Sequence, residues 1–256
     1  MAARLSERLE TVIRMVTPGH AVLDVGCDHG FTAIRLVEDG ISPCAVASDV
    51  REGPLAAARQ HVAEAGLSKQ IAVTLADGVP AGFAGITGTR PVTVILAGMG
   101  GLLMTDILKA AFRRGNSFSE LVLSPQRDAE ALRGCLDENG YRIEAERFIR
   151  EDGKFYQIIR AAKRENGGSE RPLAPEELRY GPLLLSEGDP GMAAYISSQI
   201  TRMTDLLSRI DDRAASERAK ARRRELEEEL ALLRRALARI RNGARGREVT
   251  SDDGDD

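Results

Sequence analysis

Ala21-Val22-Leu23-Asp24-Val25-Gly26-Cys27-Asp28-His29-Gly30, or AVLDVGCDHG, is the stretch on which the fold is decided. A short apolar run closes on an acidic residue, and a turn holding Gly26 and Gly30 then leads into the amphipathic segment Phe31 to Val37. Strand, glycine turn and helix in that order open a nucleotide-binding α/β unit, in which backbone N–H groups at the helix N-terminus meet the ligand. A dinucleotide would require Gly-x-Gly-x-x-Gly, with bare backbone against the pyrophosphate. Here Asp28 stands two residues after Gly26, and its charge repels a pyrophosphate. S-adenosylmethionine suits the turn better, because it carries no phosphate and its methionine end bears an ammonium. A tight turn without a ligand is the plain alternative.

The chain continues as alternating strands and helices. Arg4 to Val16 carries a helical stripe of Leu5, Leu9, Val12, Ile13 and Val16, stopped by Thr17-Pro18-Gly19. Cys44 to Ala47 reads as a second strand ending at Ser48 and Asp49, and Asp49 lies 23 residues beyond Gly26. That spacing is about where α/β nucleotide sites place a carboxylate for the ribose hydroxyls, although a plain loop carboxylate fits too. Gly53-Pro54 opens the next helix, and Ile71, Val73 and Leu75 alternate as a third strand before Asp77-Gly78. Asp24, Asp49 and Asp77 are therefore expected to converge at the carboxyl rim of one parallel sheet, where such folds hold ligands. Asp77 is placed either to accept from an adenine amino group or to cap a helix.

Pro91 to Leu96 is a fourth strand, and Ala97-Gly98-Met99-Gly100-Gly101 follows it. Three glycines in four residues let a backbone approach a substrate closely, so a methyl acceptor is expected there. Met99 either packs on a base or plugs the core. Glu120 to Leu123 is a fifth strand, and Tyr141 to Ile149 with Lys154 to Ile159 forms a hairpin around Glu151-Asp152-Gly153. Six β/α steps and a terminal hairpin are the outline of a Class I, Rossmann-like methyltransferase sheet.

Beyond a linker at residues 166–191 the pattern changes. Ile196, Ile200, Met203, Leu207 and Ile210 form one coiled-coil seam, and Leu226, Leu230, Leu233, Leu237 and Ile240 form another, out of phase with the first by two residues. The break favours a C-terminal antiparallel helical hairpin over residues 192–245, turning between Asp211 and Lys220, each arm reaching about 30 Å. One long dimerising helix is the alternative, so monomer and coiled-coil dimer both stay open.

The net charge of −3 does not favour nucleic acid, but its distribution does. Gln199 to Arg247 holds 14 Lys and Arg against 8 Asp and Glu, a net of +6, while residues 246–256 read as an acidic, disordered tail. Arg213, Arg218, Lys220, Arg222, Arg223 and Arg224 gather near the expected tip, either to meet phosphates or as a solvated face. Three scattered cysteines and three histidines match no disulfide framework or structural zinc spacing. No metal is expected. No apolar run approaches the roughly 20 residues of a membrane span and no secretory leader is visible, which points to the cytoplasm.

The combination of LSERLETVI, DVGCDHG, ASDVREGPL, ADG, ILAGMGG, EDGKFYQII and Tyr180-Gly181-Pro182 resembles the TrmK family, bacterial enzymes that methylate N1 of adenine 22 in tRNA with S-adenosylmethionine. The resemblance implies a catalytic domain over residues 1–165. It implies donor contacts from Asp24, Gly26, Asp28, His29, Gly30, Asp49, Val50, Asp77, Gly78, Ala97 and Gly98. It also implies an acceptor adenine near Ala97 to Gly101, with Met99, Gly100 and Gly101 as candidate contacts, and a helical arm that helps hold tRNA, for which Arg218, Arg222 and Arg223 are the candidate residues.

Two departures stand out: Phe31-Thr32-Ala33 where the family commonly has Tyr-Leu-Pro, and Ser124-Pro125-Gln126 where it often has Gln-Pro-Asn. Asp28 is the first candidate for a catalytic base, with His29 second, although Asp28 serves equally to orient the donor's ammonium. An RNA-binding protein with a donor pocket and no transfer activity, or a methyltransferase of another RNA site, are the competing readings. Asp28 argues against a nicotinamide oxidoreductase.

Overall fold

A computed structural model of the chain describes residues 5–165, 171–210 and 217–251, without the side chains of residues 245–251. The chain divides into two compact units, Met1–Pro172 and Leu173–Asp256.

The first unit runs α1 (Glu7–Arg14), β1 (Ala21–Val25), α2 (Phe31–Glu38), β2 (Ala45–Asp49), α3 (Glu52–Glu64), β3 (Ile71–Leu75), α4 (Ala84–Thr87), β4 (Val92–Ala97), α5 (Gly101–Arg113), β5 (Glu120–Ser124), α6 (Ala129–Glu138), β6 (Tyr141–Glu151) and β7 (Lys154–Lys163). Ser6 starts α1 by accepting the Leu9 N–H on its hydroxyl, which satisfies one of the orphan donors of the first turn. The seven strands form one mixed sheet in the order β3-β2-β1-β4-β5-β7-β6. β1 to β5 run parallel, and β7 lies antiparallel between β5 and β6. This is a Rossmann-like sheet, with five β/α steps where the sequence suggests six.

Side chains alternate across the strands, so each strand feeds two cores. Leu23, Val25, Val94, Leu96, Leu121 and Leu123 join Met104, Leu108 and Phe118 in one cluster, while Val22, Ile95 and Val122 join Val12, Ile13, Leu36 and Leu55 in the other. Burying each such side chain contributes about 1.5–3 kcal/mol. The order reverses beside β1, whose neighbours are β2 on one side and β4 on the other. At such a switch point the loops after the two strands diverge to opposite faces and leave a crevice at the carboxyl end of the sheet.

Several polar groups buried in this unit are paired in ways periodicity does not reveal. Glu120, at the start of β5, accepts from the Thr17 backbone N–H at 3.0 Å and the Thr93 hydroxyl at 2.8 Å. Arg133 of α6 and Glu146 of β6 form a fully buried ion pair at 2.7 Å, and Gln157 of β7 also accepts from that guanidinium.

The second unit contains α7 (Pro175–Tyr180), α8 (Pro182–Ser186), α9 (Pro190–Ser208) and α10 (Glu217–Ser251). Asp189 caps α9 by accepting the Met192 N–H at 2.7 Å. α10 packs against α7, α8 and α9, burying Leu226, Leu230, Leu233, Ala236 and Ile240, while Met192 and Ile196 are buried from α9. Gly243 lets α10 press on the Ser186 carbonyl, in the space a side chain would fill. Glu176 accepts from Arg239 at 2.9 Å and Arg235 at 3.4 Å, and Arg179 pairs with Glu229 at 2.8 Å.

The helices of the second unit begin and end elsewhere than the sequence suggests. The stretch 166–191 is not simply a linker: Pro175 and Pro182 each sit where a helix can start without a lost N–H, and α7 and α8 belong to the second unit. The arm therefore begins before residue 192. α10 has 35 residues against 19 in α9, so it reaches about 52 Å instead of about 30 Å. It continues through Ser251, so residues 246–251 of the supposed disordered tail are helical, and 252–256 lie outside the described residues. Of the expected turn, residues 211–216 also lie outside them.

Candidate active site

Gly26 and Gly30 adopt left-handed backbone with φ of 77° and 76°, and Asp28 between them shares that conformation at φ 50°. Non-glycine residues seldom hold this conformation without cause, and an aspartate tolerates it better than most. The turn is anchored to β2: the Gly26 and Cys27 N–H groups donate to the Ser48 carbonyl at 2.8 and 2.9 Å, and the Asp28 N–H donates to the Asp49 carboxylate at 3.3 Å. Asp49 also accepts the Arg51 backbone N–H at 2.9 Å. Its carboxylate thereby joins the first turn to the end of the second strand.

Asp24 lies one residue inside β1 and is 4% exposed, so it is a buried carboxyl and not an open strand tip. Burial pushes its pKa up to about 7, opposed by the Ala33 N–H and aided by the Asp49 charge. Its Oδ2 is buried without a hydrogen-bond partner among the described residues. An unsatisfied buried acceptor beside a second carboxylate is a place that a cationic ligand group would stabilise. Burial together with Asp24 and Asp49 also pushes the Cys27 thiol up, which keeps it protonated and non-nucleophilic. Asp77 stands exposed two residues beyond β3, the strand next to β2, with Gly78 close to Ile107. Asp24 and Asp49 are brought into electrostatic contact, and Asp77 stands beyond the end of the neighbouring strand β3.

Across the switch point the Ala97–Gly101 loop meets the first turn directly. A side chain at Gly26 would begin 2.7 Å from Cε of Met99, so the glycine leaves the space that Met99 fills. Gly98 has φ 81°, and Gly101 admits the Asp128 carbonyl where a Cβ would clash. The loop is stitched to the segment after β5: Gln126 N–H donates to Met99 O at 3.0 Å, and Gly101 N–H donates to Arg127 O at 2.8 Å.

Asp28 and His29 are both exposed, with His29 Nε2 3.7 Å from Asp28 Oδ2 and Arg51 4.0 Å from its other oxygen. Val50 is 62% exposed beside Asp49. Sequence reading missed His61 of α3, whose ring stacks on Phe31 with centroids 4.5 Å apart and whose Nδ1 lies 3.1 Å from the His29 carbonyl oxygen. It also missed Arg127. His61 is 32 residues from His29 and on another helix, so only the packing of α3 beside the turn exposes the relationship. In the second unit Arg218 is exposed, while Arg222 and Arg223 pair with Glu225 and Glu227 on their own helix at 2.8 and 2.9 Å. Among the described residues no group of three or more His, Cys, Asp or Glu could hold a metal.

A family model described as TrmK, tRNA (adenine(22)-N(1))-methyltransferase, matches residues 22–235, spanning the glycine turn, the Ala97–Gly101 loop and most of the helical unit. The chain belongs to the TrmK family. Members are tRNA methyltransferases named for N1 of adenine 22. The tRNA (adenine(22)-N(1))-methyltransferase of Bacillus subtilis is 26% identical over 235 residues, 91% of this chain and 97% of that one. A crystal structure of Streptococcus pneumoniae Sp1610, a putative tRNA (m1A22) methyltransferase, in complex with S-adenosyl-L-methionine, is 30% identical with a TM-score of 0.75 and covers 91% of this chain and all of its own. M. capricolum TrmK in complex with S-adenosyl-homocysteine shares the fold at a TM-score of 0.77 and 24% identity, covering 93% of this chain and all of its own.

Proposed function

We propose that this TrmK family member transfers a methyl group from S-adenosylmethionine to N1 of adenine 22 in tRNA, using the crevice between the first glycine turn and the Ala97–Gly101 loop. The observation that carries this reading is the contact between Gly26 and Met99, which sets the donor turn and the acceptor loop side by side. The unsatisfied Asp24 oxygen beside the charge of Asp49, with Asp28 exposed in the turn, fits a ligand with an ammonium group and no phosphate. Asp24 and the Gly26–Gly30 turn would hold the amino-acid end, Asp49 the ribose, and Val50, Asp77 and Gly78 the adenine. When bound, the donor supplies an electrophilic methyl group on sulfonium.

The chain's own residues then have three tasks. The Met99, Gly100 and Gly101 backbone receives the acceptor base, whose N1 lone pair is already nucleophilic, so alignment supplies much of the acceleration. N1 lies on the Watson–Crick edge, and the base must leave its stack to present it. Asp28, exposed on a left-handed turn, accepts a hydrogen bond from the exocyclic amino group and stabilises the positive charge that N1 methylation places on the base. His29 beside it is the second group able to take the amino proton. The same Asp28 position also suits orientation of the donor's ammonium, and Asp28→Asn separates the two roles by its effect on donor affinity against turnover.

We assign the second unit to holding tRNA. Its buried leucine seam is satisfied by helices of the same chain, which supports an antiparallel hairpin within a monomer, and Arg218 and its neighbours supply cations for phosphates. Among the described residues no helix is long and apolar enough to cross a membrane, and we place the enzyme in the cytoplasm with its tRNA.

The test is methyl incorporation from labelled S-adenosylmethionine into unmodified tRNA carrying either adenine or guanine at position 22. Incorporation confined to the adenine-bearing tRNA is expected, and equal labelling of both would move the reaction to another site.

A further inference from the structure

We propose that Leu102, Leu103 and Arg127 form an RNA-gripping edge beside the acceptor loop, the two leucines packing on the nucleobases that flank the target adenine and the guanidinium holding their phosphodiester. The inference rests on the tRNA methyltransferase reading and adds to it a separate contact for the unstacked strand.

The first turn of α5 places its apolar residues unusually. Met104, Leu108 and Ala111 are buried, but Leu102 and Leu103, directly after Gly101, are 57% and 53% exposed. They have no part in the core that folds the helix. Of the seven large hydrophobic side chains exposed among the described residues, Val50, Leu75, Leu102 and Leu103 all follow or end strands β2, β3 and β4, at the carboxyl rim where the site lies. Apolar side chains concentrated at a ligand rim mark a surface that another molecule covers.

Arg127 gives that molecule its charge. Its side chain is 81% exposed, and its Nε lies 3.4 Å from where a Gly100 Cβ would stand, so the guanidinium stem runs over the acceptor loop itself. The backbone bond from Gly101 N–H to Arg127 O fixes this arrangement, and the Asp128 carboxylate lies 3.5 Å from the guanidinium Nε. An exposed ion pair of that length is weak and readily exchanged for a phosphate. Apolar wedges next to an arginine are the chemistry proteins use to keep an unstacked base step open, since the side chains replace the lost stacking while the cation offsets phosphate charge.

The test uses the full chain with saturating S-adenosylmethionine and unmodified tRNA carrying a fluorescent purine next to the target nucleotide. Wild type, Leu102→Ser/Leu103→Ser, Arg127→Gln and Arg127→Lys are compared in single-turnover methyl transfer, tRNA binding, donor binding by calorimetry, and thermal melting. The double leucine variant is expected to lose about ten-fold or more in transfer rate and to abolish the fluorescence rise that reports unstacking. Arg127→Gln is expected to weaken tRNA binding and to reduce its salt dependence by about one counterion, with Arg127→Lys retaining part of both. Donor affinity and melting temperature stay at wild-type values. Variants that transfer, unstack and bind tRNA as wild type does would overturn the proposal while leaving the enzymatic reading intact. A parallel loss of donor affinity would overturn it by assigning these residues to the donor pocket. Absence of transfer by the wild type would instead defeat the underlying reading.

Discussion

The backbone N–H of Asp28 donates to the Asp49 carboxylate over 3.3 Å, so the exposed tip of the first turn and the end of the second strand are held as one piece. Asp49 thereby has a structural duty in addition to the ribose contact assigned to it. Asp49→Ala removes both, and donor affinity should fall at least about ten-fold, the scale of a lost charge-assisted hydrogen bond. Asp49→Asn keeps an acceptor for the Asp28 N–H and should retain the turn while still weakening the donor. Calorimetric titration with S-adenosylhomocysteine reads both effects. Equal affinity of Asp49→Ala and wild type would remove Asp49 from the site.

Asp24 makes the unliganded enzyme pay a stability penalty that depends on pH. Its folded pKa is about 7 against an ordinary 3.8, so between those values the folded state keeps a proton that the unfolded state has released. Stability from this group is fully present below 3.8 and is lost as pH rises to and through about 7. Asp24→Asn lacks that loss, and at pH 8 its unliganded form should be more stable than wild type by about 1–3 kcal/mol. At pH 4 the difference should nearly vanish, and donor binding should be impaired throughout. Denaturant melts at the two pH values, read by circular dichroism, check the sign. A variant less stable than wild type at pH 8 would mean that the ionised carboxylate is already compensated by the protein.

Gly26 is required on two counts, its φ of 77° and the Cε of Met99 in the place of a side chain. Gly26→Ala should therefore lower both donor affinity and stability. Adding Met99→Ala removes the steric part but not the backbone cost, which is about 1 kcal/mol for an alanine in left-handed conformation. The double variant should recover stability only in part, and a thermodynamic cycle over the four proteins measures the coupling. Additive effects would show that the Gly26 turn and the Ala97–Gly101 loop are not in contact.

How far the sequence revealed all this follows from the kind of information each element needs. β1 to β5, the β6–β7 hairpin and the helices α9 and α10 were legible because they rest on local periodicity, and the Gly26 turn because its residues are contiguous. Arg127 at Gly100, His61 on Phe31 and the Gly26–Met99 contact join residues far apart in the chain, and no local pattern records them. The depth of Asp24 was missed for a related reason: strand position is visible in sequence, but burial depends on the neighbours β2 and β4. α7 and α8 were read as linker because they are six and five residues long, too short for a periodic stripe. They are kept helical by packing against α10 and by the ion pairs of α7.

Those ion pairs make the second unit sensitive to acid. Burial pushes the Glu176 carboxyl up, but a backbone N–H and the guanidinium groups of Arg235 and Arg239 outweigh it and hold the carboxyl below its ordinary value. The stabilisation is therefore present above an ordinary glutamate pKa and is lost as pH falls through the lowered folded value. Glu176→Gln should destabilise the helical unit by about 1 kcal/mol at pH 7, since both arginines are partly exposed and screened. Near pH 3 the difference from wild type should shrink. Helical circular dichroism during urea titration at both pH values reports it, and a constant difference across pH would discard the ion-pair account.

The central claim, that the crevice between the Gly26 turn and the Met99 loop methylates N1 of adenine in tRNA, is tested most directly by mapping the product. Unmodified tRNA is treated with the purified chain and S-adenosylmethionine, digested, and sequenced by mass, with reverse transcription run alongside because an N1 methyl blocks the Watson–Crick edge. A single methylated adenine at position 22 and a reverse-transcription stop at that nucleotide are expected, both absent with Gly26→Ala. Methylation at a different nucleotide or on a different atom, or none at saturating donor, would contradict it.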